Sequence, residues 1–187
     1  MKKSTLIILC LSVLLTSCVA AVVAGAAGGL VVYDRRSMTM IERDARIFYV
    51  INKTIVSDPI FRDSHIIISS FNQIVLLAGQ TPKASLRVVA EKIAKKTPNV
   101  QRVYNEITVQ NPIAFSQRSK DSWITGQVRA QMLAKKGLES GSIRVVTENS
   151  VVYLMGIATH EQANLAVDVA RQVNGVSKVV KIFRYIT

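Results

Sequence analysis

Asp44, Ile47, Asn72, Val75, Leu77 and Gly79 recur as Asp121, Ile124, Asn149, Val152, Leu154 and Gly156, each 77 positions later. Beyond the glycine the series continues at 76, where Ala90, Ile93, Ala94, Val100 and Val103 are answered by Ala166, Val169, Ala170, Val176 and Val179. An offset held this long is a duplicated unit of about 70 residues, so whatever the chain folds into it must fold into twice. Within each copy the hydrophobic period changes in one order. Ile47, Ile51 and Ile55, or Ile124, Val128 and Met132, fall every four residues and predict an amphipathic helix with Asp44 or Asp121 near its start, where a carboxylate suits free N–H groups. Ile66 and Ile68, then Val75 and Leu77, alternate on either side of an Asn-bearing turn, as do Ile143 and Val145, then Val152 and Leu154; this predicts a hairpin. Thr81-Pro82 and Thr159 read as N-caps of a second helix, with Gln162 completing a capping box in the second copy. Val103 to Val109 and Val179 to Ile186 close each copy as a third strand. The expected class is α+β, two units of order αββαβ, each a small three-stranded mixed sheet packed on two helices.

The N-terminus is of another kind. Lys2 and Lys3, the apolar run Leu6 to Leu15, and small residues before Cys18 form a targeting segment rather than fold. It lifts the mean hydropathy to +0.28, high for a chain with a formal charge of +12. Leu15-Thr16-Ser17-Cys18 resembles the lipobox of bacterial lipoproteins. That resemblance implies cleavage before Cys18 and lipid, palmitate included, on its thiol and amine, two or three acyl chains making a lasting anchor where one is marginal. Val19 in the following position points, by the same resemblance, to the outer membrane and its periplasmic face. The alternative for Thr5 to Val32, 28 positions without a charge, is an uncleaved membrane-spanning helix. Gly25, Gly28 and Gly29 fit a tether better. The expected organisation is a signal peptide over 1–17, an acylated apolar tether over 18–40, a first domain over 41–110, a linker over 111–118 and a second domain over 119–187.

Export removes nucleic acid as the partner of the basic charge and leaves anionic lipid headgroups, or a solvated basic surface. Two Cys and two His, Cys10, Cys18, His65 and His160, exclude a disulfide framework and a four-ligand zinc site. No metal and no cofactor beyond the covalent lipid on Cys18 is expected.

The element order with a glycine late in the second strand resembles the BON domain of bacterial envelope proteins. Val103-Tyr104-Asn105-Glu106-Ile107, Trp123-Ile124-Thr125, Thr147-Glu148-Asn149 and Leu154-Met155-Gly156 carry the match, over residues 42 to 187 in two copies. With the lipobox, the chain is similar to dual-BON lipoproteins of the outer membrane. The resemblance implies a non-catalytic protein that supports envelope integrity and whose second BON domain binds anionic phospholipid, phosphatidylglycerol or cardiolipin, in the inner leaflet. The tether departs from that pattern in being longer in apolar residues.

Because both first helices must cover the same sheet, differences on their outer faces are free of that constraint. Stepping about 100° per residue, Trp123, Gly126, Ala130, Leu133 and Ala134 fall opposite the core stripe of the second copy. In the first copy the same positions are Arg46, Tyr49, Lys53, Val56 and Ser57, a mostly polar set. The expected lipid-binding residues are therefore Trp123, Gly126, Gln127, Arg129, Ala130, Leu133, Ala134, Lys135 and Lys136: an indole suited to the headgroup level, small residues for close approach, and cations for anionic headgroups. Three other readings of this face stand beside it: packing of Trp123 and Leu133 against the first domain or linker, an oligomer contact, and an adaptor surface for outer-membrane assembly machinery. Gly79 and Gly156 are read as structural, placed where each chain turns from strand to helix. His65, His160, Glu91, Asp168, Glu106 and Glu148 form no evident ligand set or acid and base pair, and no catalytic residue is assigned.

Overall fold

The structure, a computed structural model, describes residues 34–187; Cys18, the expected signal peptide and most of the expected tether lie outside the described residues. The first copy runs α1 (Met38–Ser57), β1 (His65–Phe71), β2 (Ile74–Thr81), α2 (Ala84–Lys96) and β3 (Arg102–Val109). The second runs α3 (Phe115–Ala134), β4 (Ile143–Glu148), β5 (Val151–Ala158), α4 (His160–Arg171) and β6 (Lys178–Tyr185). Each sheet has the order first, second, third strand, with an antiparallel hairpin and a parallel third strand brought in by the second helix. The αββαβ order and the mixed three-stranded sheets are those expected.

Two boundaries move. The helix α1 is capped by Ser37, whose hydroxyl accepts from the Met40 N–H, and Arg35 and Arg36 ahead of it are bonded to Glu139 and Asp44, so residues 35–40 belong to the folded body rather than to the tether. Likewise α3 starts at Phe115, inside the stretch expected as linker.

Each helix layer covers one face of its sheet. Ile47, Ile51 and Ile55 of α1 and Leu86, Ala90 and Ala94 of α2 close on Ile68, Val75, Leu77 and Ile107. Ile124, Val128 and Met132 of α3 with Ala166, Val167, Val169 and Ala170 of α4 close on Val145, Val152 and Leu154. The opposite faces of the two sheets are not left to solvent: Phe71, Leu76 and Ala78 pack against Tyr153, Met155 and Ile182 in a third core. The body is thus four layers, helices, sheet, sheet, helices, with the sheets about 10 Å apart. Burial on both faces explains why Ile74 to Ala78 and Val151 to Met155 are unbroken apolar runs rather than alternations.

The repeated aspartates do not serve their own helices as expected. Asp44 stands seven residues into α1 and Asp121 seven into α3, too deep to reach free N–H groups of the first turn. Each hairpin turn holds two residues with positive φ, Asn72 (51°) and Gln73 (63°), and Asn149 (48°) and Ser150 (63°), the geometry of a type I′ turn. Its two N–H groups point at the buried carboxylate: Asn72 and Gln73 donate to Asp44 at 2.7 and 2.8 Å, and Asn149 and Ser150 to Asp121 at 2.8 Å each. The aspartate therefore ties helix to hairpin. In the first copy the charge is met by Arg36, which is itself buried and bonded to Asp44 at 2.9 Å and Asp34 at 2.7 Å, its guanidinium over the Phe71 ring. In the second copy the Gln117 amide takes that place, at 3.0 Å from Asp121.

The caps differ between copies as well. Thr159 accepts from the Gln162 N–H as expected, but the Gln162 side chain does not turn back to close a capping box; it spans to Gly137 O and the Glu139 N–H. Thr81 is the last residue of β2 and accepts from the Ser64 hydroxyl, while α2 starts after Lys83 without a side-chain cap. Gly79 and Gly156 lie inside β2 and β5, not at the turn that follows. A Cβ on Gly79, whose φ is +118°, would stand 2.0 Å from His65 O, and one on Gly156 would stand 2.7 Å from Ser142 O. What excludes a side chain is the close crossing of the neighbouring strand.

Candidate functional site

The helix α3 buries one narrow stripe, half-buries Gln117, Arg118, Thr125 and Gln127 beside it, and exposes the side turned away. Ile124, Val128 and Met132 are fully covered, and Asp121 on the same stripe holds the hairpin. The side turned away carries Trp123, 55% exposed, and Leu133, 46% exposed. Between them a Cβ on Gly126 would meet nothing within 4 Å, and Ala130 and Ala134 are exposed. The structure therefore brings together Trp123, Gly126, Ala130, Leu133 and Ala134 as one exposed surface. It does not pack Trp123 or Leu133 into the joint between the copies, which the sheets make instead.

The cations flank this strip. Arg129 is exposed but anchored, its Nη2 donating to Val145 O at 3.1 Å. Lys135 is the C-cap residue and Lys136 follows it, both exposed at the end where carbonyls point outward. Gln127 is half-buried and contributes least. A depression of about 240 Å³ opens beside the strip, lined by Gln131, Ala134 and Lys135 of α3 and Asp168, Val169 and Gln172 around α4.

One member was missed. Phe115, assigned to the linker, is the first residue of α3 and 80% exposed. It precedes Leu133 by 18 residues, five whole turns, so the two side chains share an azimuth about 27 Å apart along the axis. The signal was present: Phe115 lies 77 after Met38, the first residue of α1, and Asn111-Pro112 obscured it. The contrast with the first copy is also milder than expected, since Met38, Tyr49 and Val56 are 80%, 61% and 75% exposed on α1. Phe48 is exposed there too, at 43%, so exposed rings are common to both first helices; what α3 has and α1 lacks is the floor of Gly126, Ala130 and Ala134 between them, where α1 carries Tyr49, Lys53 and Ser57.

Polar groups cluster elsewhere, at the joint. Gln80 Nε2 donates to Glu148 Oε1 at 2.7 Å, the Ile113 N–H to Gln80 Oε1 at 3.1 Å, and His65 Nε2 stands 3.7 Å from Glu148 Oε2. Burial pushes the Glu148 carboxyl above its usual range, the Gln80 bond working against it. Burial and then the Arg118 charge hold His65 below the usual imidazole value, Asp121 opposing. Burial also raises the Tyr153 phenol to about 12. This group ties the copies together. Among the described residues no cluster of His, Cys, Asp and Glu could hold a metal ion, and no helix is long and apolar enough to cross a membrane.

The profile of the BON domain matches residues 43–111 and 120–186. The chain is 38% identical to the outer membrane lipoprotein DolP of Haemophilus influenzae over 186 residues, 98% of this chain and 96% of that one. It is 37% identical to a 21 kDa hemolysin of Actinobacillus pleuropneumoniae over 124 residues, 66% of this chain and 64% of that one. Among solved structures, CdsD of the Chlamydia trachomatis type III secretion system superposes on 75% of this chain and 92% of its own, at 8% identity and a TM-score of 0.32.

Proposed function

The chain belongs to the BON family, and on that premise we propose that it is a non-catalytic lipoprotein of the outer membrane, anchored through Cys18 on the periplasmic side, which binds anionic phospholipid through α3 and supports the integrity of that membrane. The relation to an outer membrane lipoprotein over nearly the whole of both chains supports the location. The lipobox residues Leu15 to Cys18 support the anchor.

One observation carries the lipid reading. On a body whose two sheets are spent on each other, α3 presents Phe115, Trp123 and Leu133 to solvent along one face, over a floor of Gly126, Ala130 and Ala134 and between cations. A helix lying in the plane of a bilayer needs that: protruding apolar groups along its length, small residues between them, and Arg129, Lys135 and Lys136 at headgroup height. Each ring entering the interface is worth about 1–2 kcal/mol, and each cation near an anionic surface about 1 kcal/mol. Such a site is weak alone and sufficient beside an acyl anchor, which confines the body near the surface at high effective concentration.

Trp123 is the single tryptophan, so its emission tests the reading. Residues 34–187 titrated with phosphatidylglycerol or cardiolipin vesicles will shift to the blue, added salt will reverse the shift, and phosphatidylcholine vesicles will give none. Unchanged emission with anionic vesicles refutes it and leaves the face to a protein, as in an adaptor for outer-membrane assembly machinery.

A further inference from the structure

The duplication also supplies a template for binding. In the second copy the corner between the end of α3 and the start of β4 is occupied by the chain itself. The Arg35 N–H donates to Ser142 Oγ at 3.2 Å, and the Arg35 guanidinium meets Glu139 Oε2 at 2.8 Å. This corner of the fold therefore accepts a segment of non-helical backbone laid across it and reads one charge on that segment.

The same corner of the first copy lies 77 residues earlier, with Val56 for Leu133, Phe61 for Leu138, Arg62 for Glu139 and His65 for Ser142. The residue corresponding to Arg35 is Pro112, which has no N–H to donate and no charge. Here the corner is an open depression of about 310 Å³ lined by Ile55, Val56, Phe61, Arg62, His65 and Ile66, with Ser64 between them. Val56 at its edge is 75% exposed. Among the described residues the one carboxylate within 4 Å of the Arg62 guanidinium is Asp63, 3.8 Å away with both side chains about four-fifths exposed, a pair that holds the cation loosely.

We propose that this corner of the first copy is a docking site for an extended segment of a partner protein, one that sets an Asp or Glu against Arg62 and an apolar side chain in the depression. The charge follows from the template: Glu139 takes a cation, and Arg62 in its place takes an anion. The class of partner follows from shape. A bilayer engages groups that protrude, as on α3, whereas a concavity with an apolar floor takes a protruding side chain of a folded or extended chain. Position agrees, because α1 and α3 lie in the two outer layers of the body, so a bilayer under α3 leaves the corner of α1 open.

The test is selection of a displayed library of random short peptides on residues 34–187, which contain all three cores, and in parallel on the Arg62→Glu variant. The selected peptides will carry an acidic residue beside an apolar one and, added to isotope-labelled protein, will move the amide signals of Val56, Phe61, Arg62 and Ser64 to Ile66. Arg62→Glu will weaken them about tenfold or more, as loss of a charge-assisted bond requires, and will itself select basic peptides. Arg62 is exposed, and an unchanged thermal melt will show that the variant folds. No enrichment, the same motif from both proteins, signals that move elsewhere, or the corner responding to phosphatidylglycerol vesicles in place of peptide would each overturn the proposal.

Discussion

Phe115→Ser asks whether α3 lies flat on the bilayer. The side chain is 80% exposed in the first turn of the helix, and Ala114 ahead of it makes no side-chain cap, so the substitution should change folding stability by no more than about 0.5 kcal/mol. Its membrane contribution is calculable. Full burial of a phenylalanine is worth about 1.5–3 kcal/mol, and entry to headgroup depth recovers roughly half to two thirds of that, about 1–2 kcal/mol. At 1.4 kcal/mol per factor of ten, vesicle binding should weaken roughly 5- to 30-fold. Trp123 stays in place as the reporter, eight residues along the helix. The lipid concentration at half-shift should therefore rise by that factor while the shift at saturation stays the same. Trp123→Glu, read by vesicle flotation, should lose more, since it removes the indole and adds a repelled charge. If Phe115→Ser left the midpoint where it was, the helix would touch lipid only through its C-terminal half, and the flat orientation would be wrong.

The two hairpin clamps should differ in strength. Asp44→Asn leaves Arg36 with the partly exposed Asp34 as its counter-charge and one turn N–H without a full acceptor, and should cost about 2–4 kcal/mol in urea unfolding of residues 34–187; Asp121→Asn, with only Gln117 beside it, should cost about 1–2 kcal/mol less. Equal costs would remove Arg36 from the account. Gly79→Ala drives a Cβ into His65 O at a backbone angle that side chains rarely adopt, and should cost about 4 kcal/mol or more in a circular-dichroism melt; Gly156→Glu should also destabilise, by collision with Ser142 O. An unchanged melt for either would show that β1 or β4 can move aside. Glu148 binds its proton more tightly folded than unfolded, so its contribution falls as pH rises through the ordinary carboxyl value to the raised one. As pH rises from about 4, wild type should accordingly lose urea stability relative to Glu148→Gln, and a wild type that holds level with the variant or gains on it would contradict the raised value.

The sequence disclosed each copy and hid how the copies meet. Periodicity identifies a face only when the other face is polar, and at Val75 and Leu77 it found the side that the helices cover. Leu76, Ala78, Tyr153 and Met155, between those positions, are equally buried against the other copy. The apolar runs they belong to carried that message, yet a run also fits a single buried face with chance apolar neighbours. Asp44 and Asp121 were legible as repeated and not as clamps, because the turn they hold is 28 residues away and nothing local in the sequence links a helix carboxylate to it. The α3 face was legible for the opposite reason. It is set by one helix's own spacing, and the first copy shows at each position what the fold does not require. Where the copies agree, as at Asp44, Asn72 and Gly79, the residue serves the fold; where they part, as at Trp123 against Arg46 or Arg62 against Glu139, the fold has left the position free. Divergence between two solutions of one packing problem is thus the sharper guide to binding in this chain, and it marks a protruding face on the second copy and a charged concavity on the first.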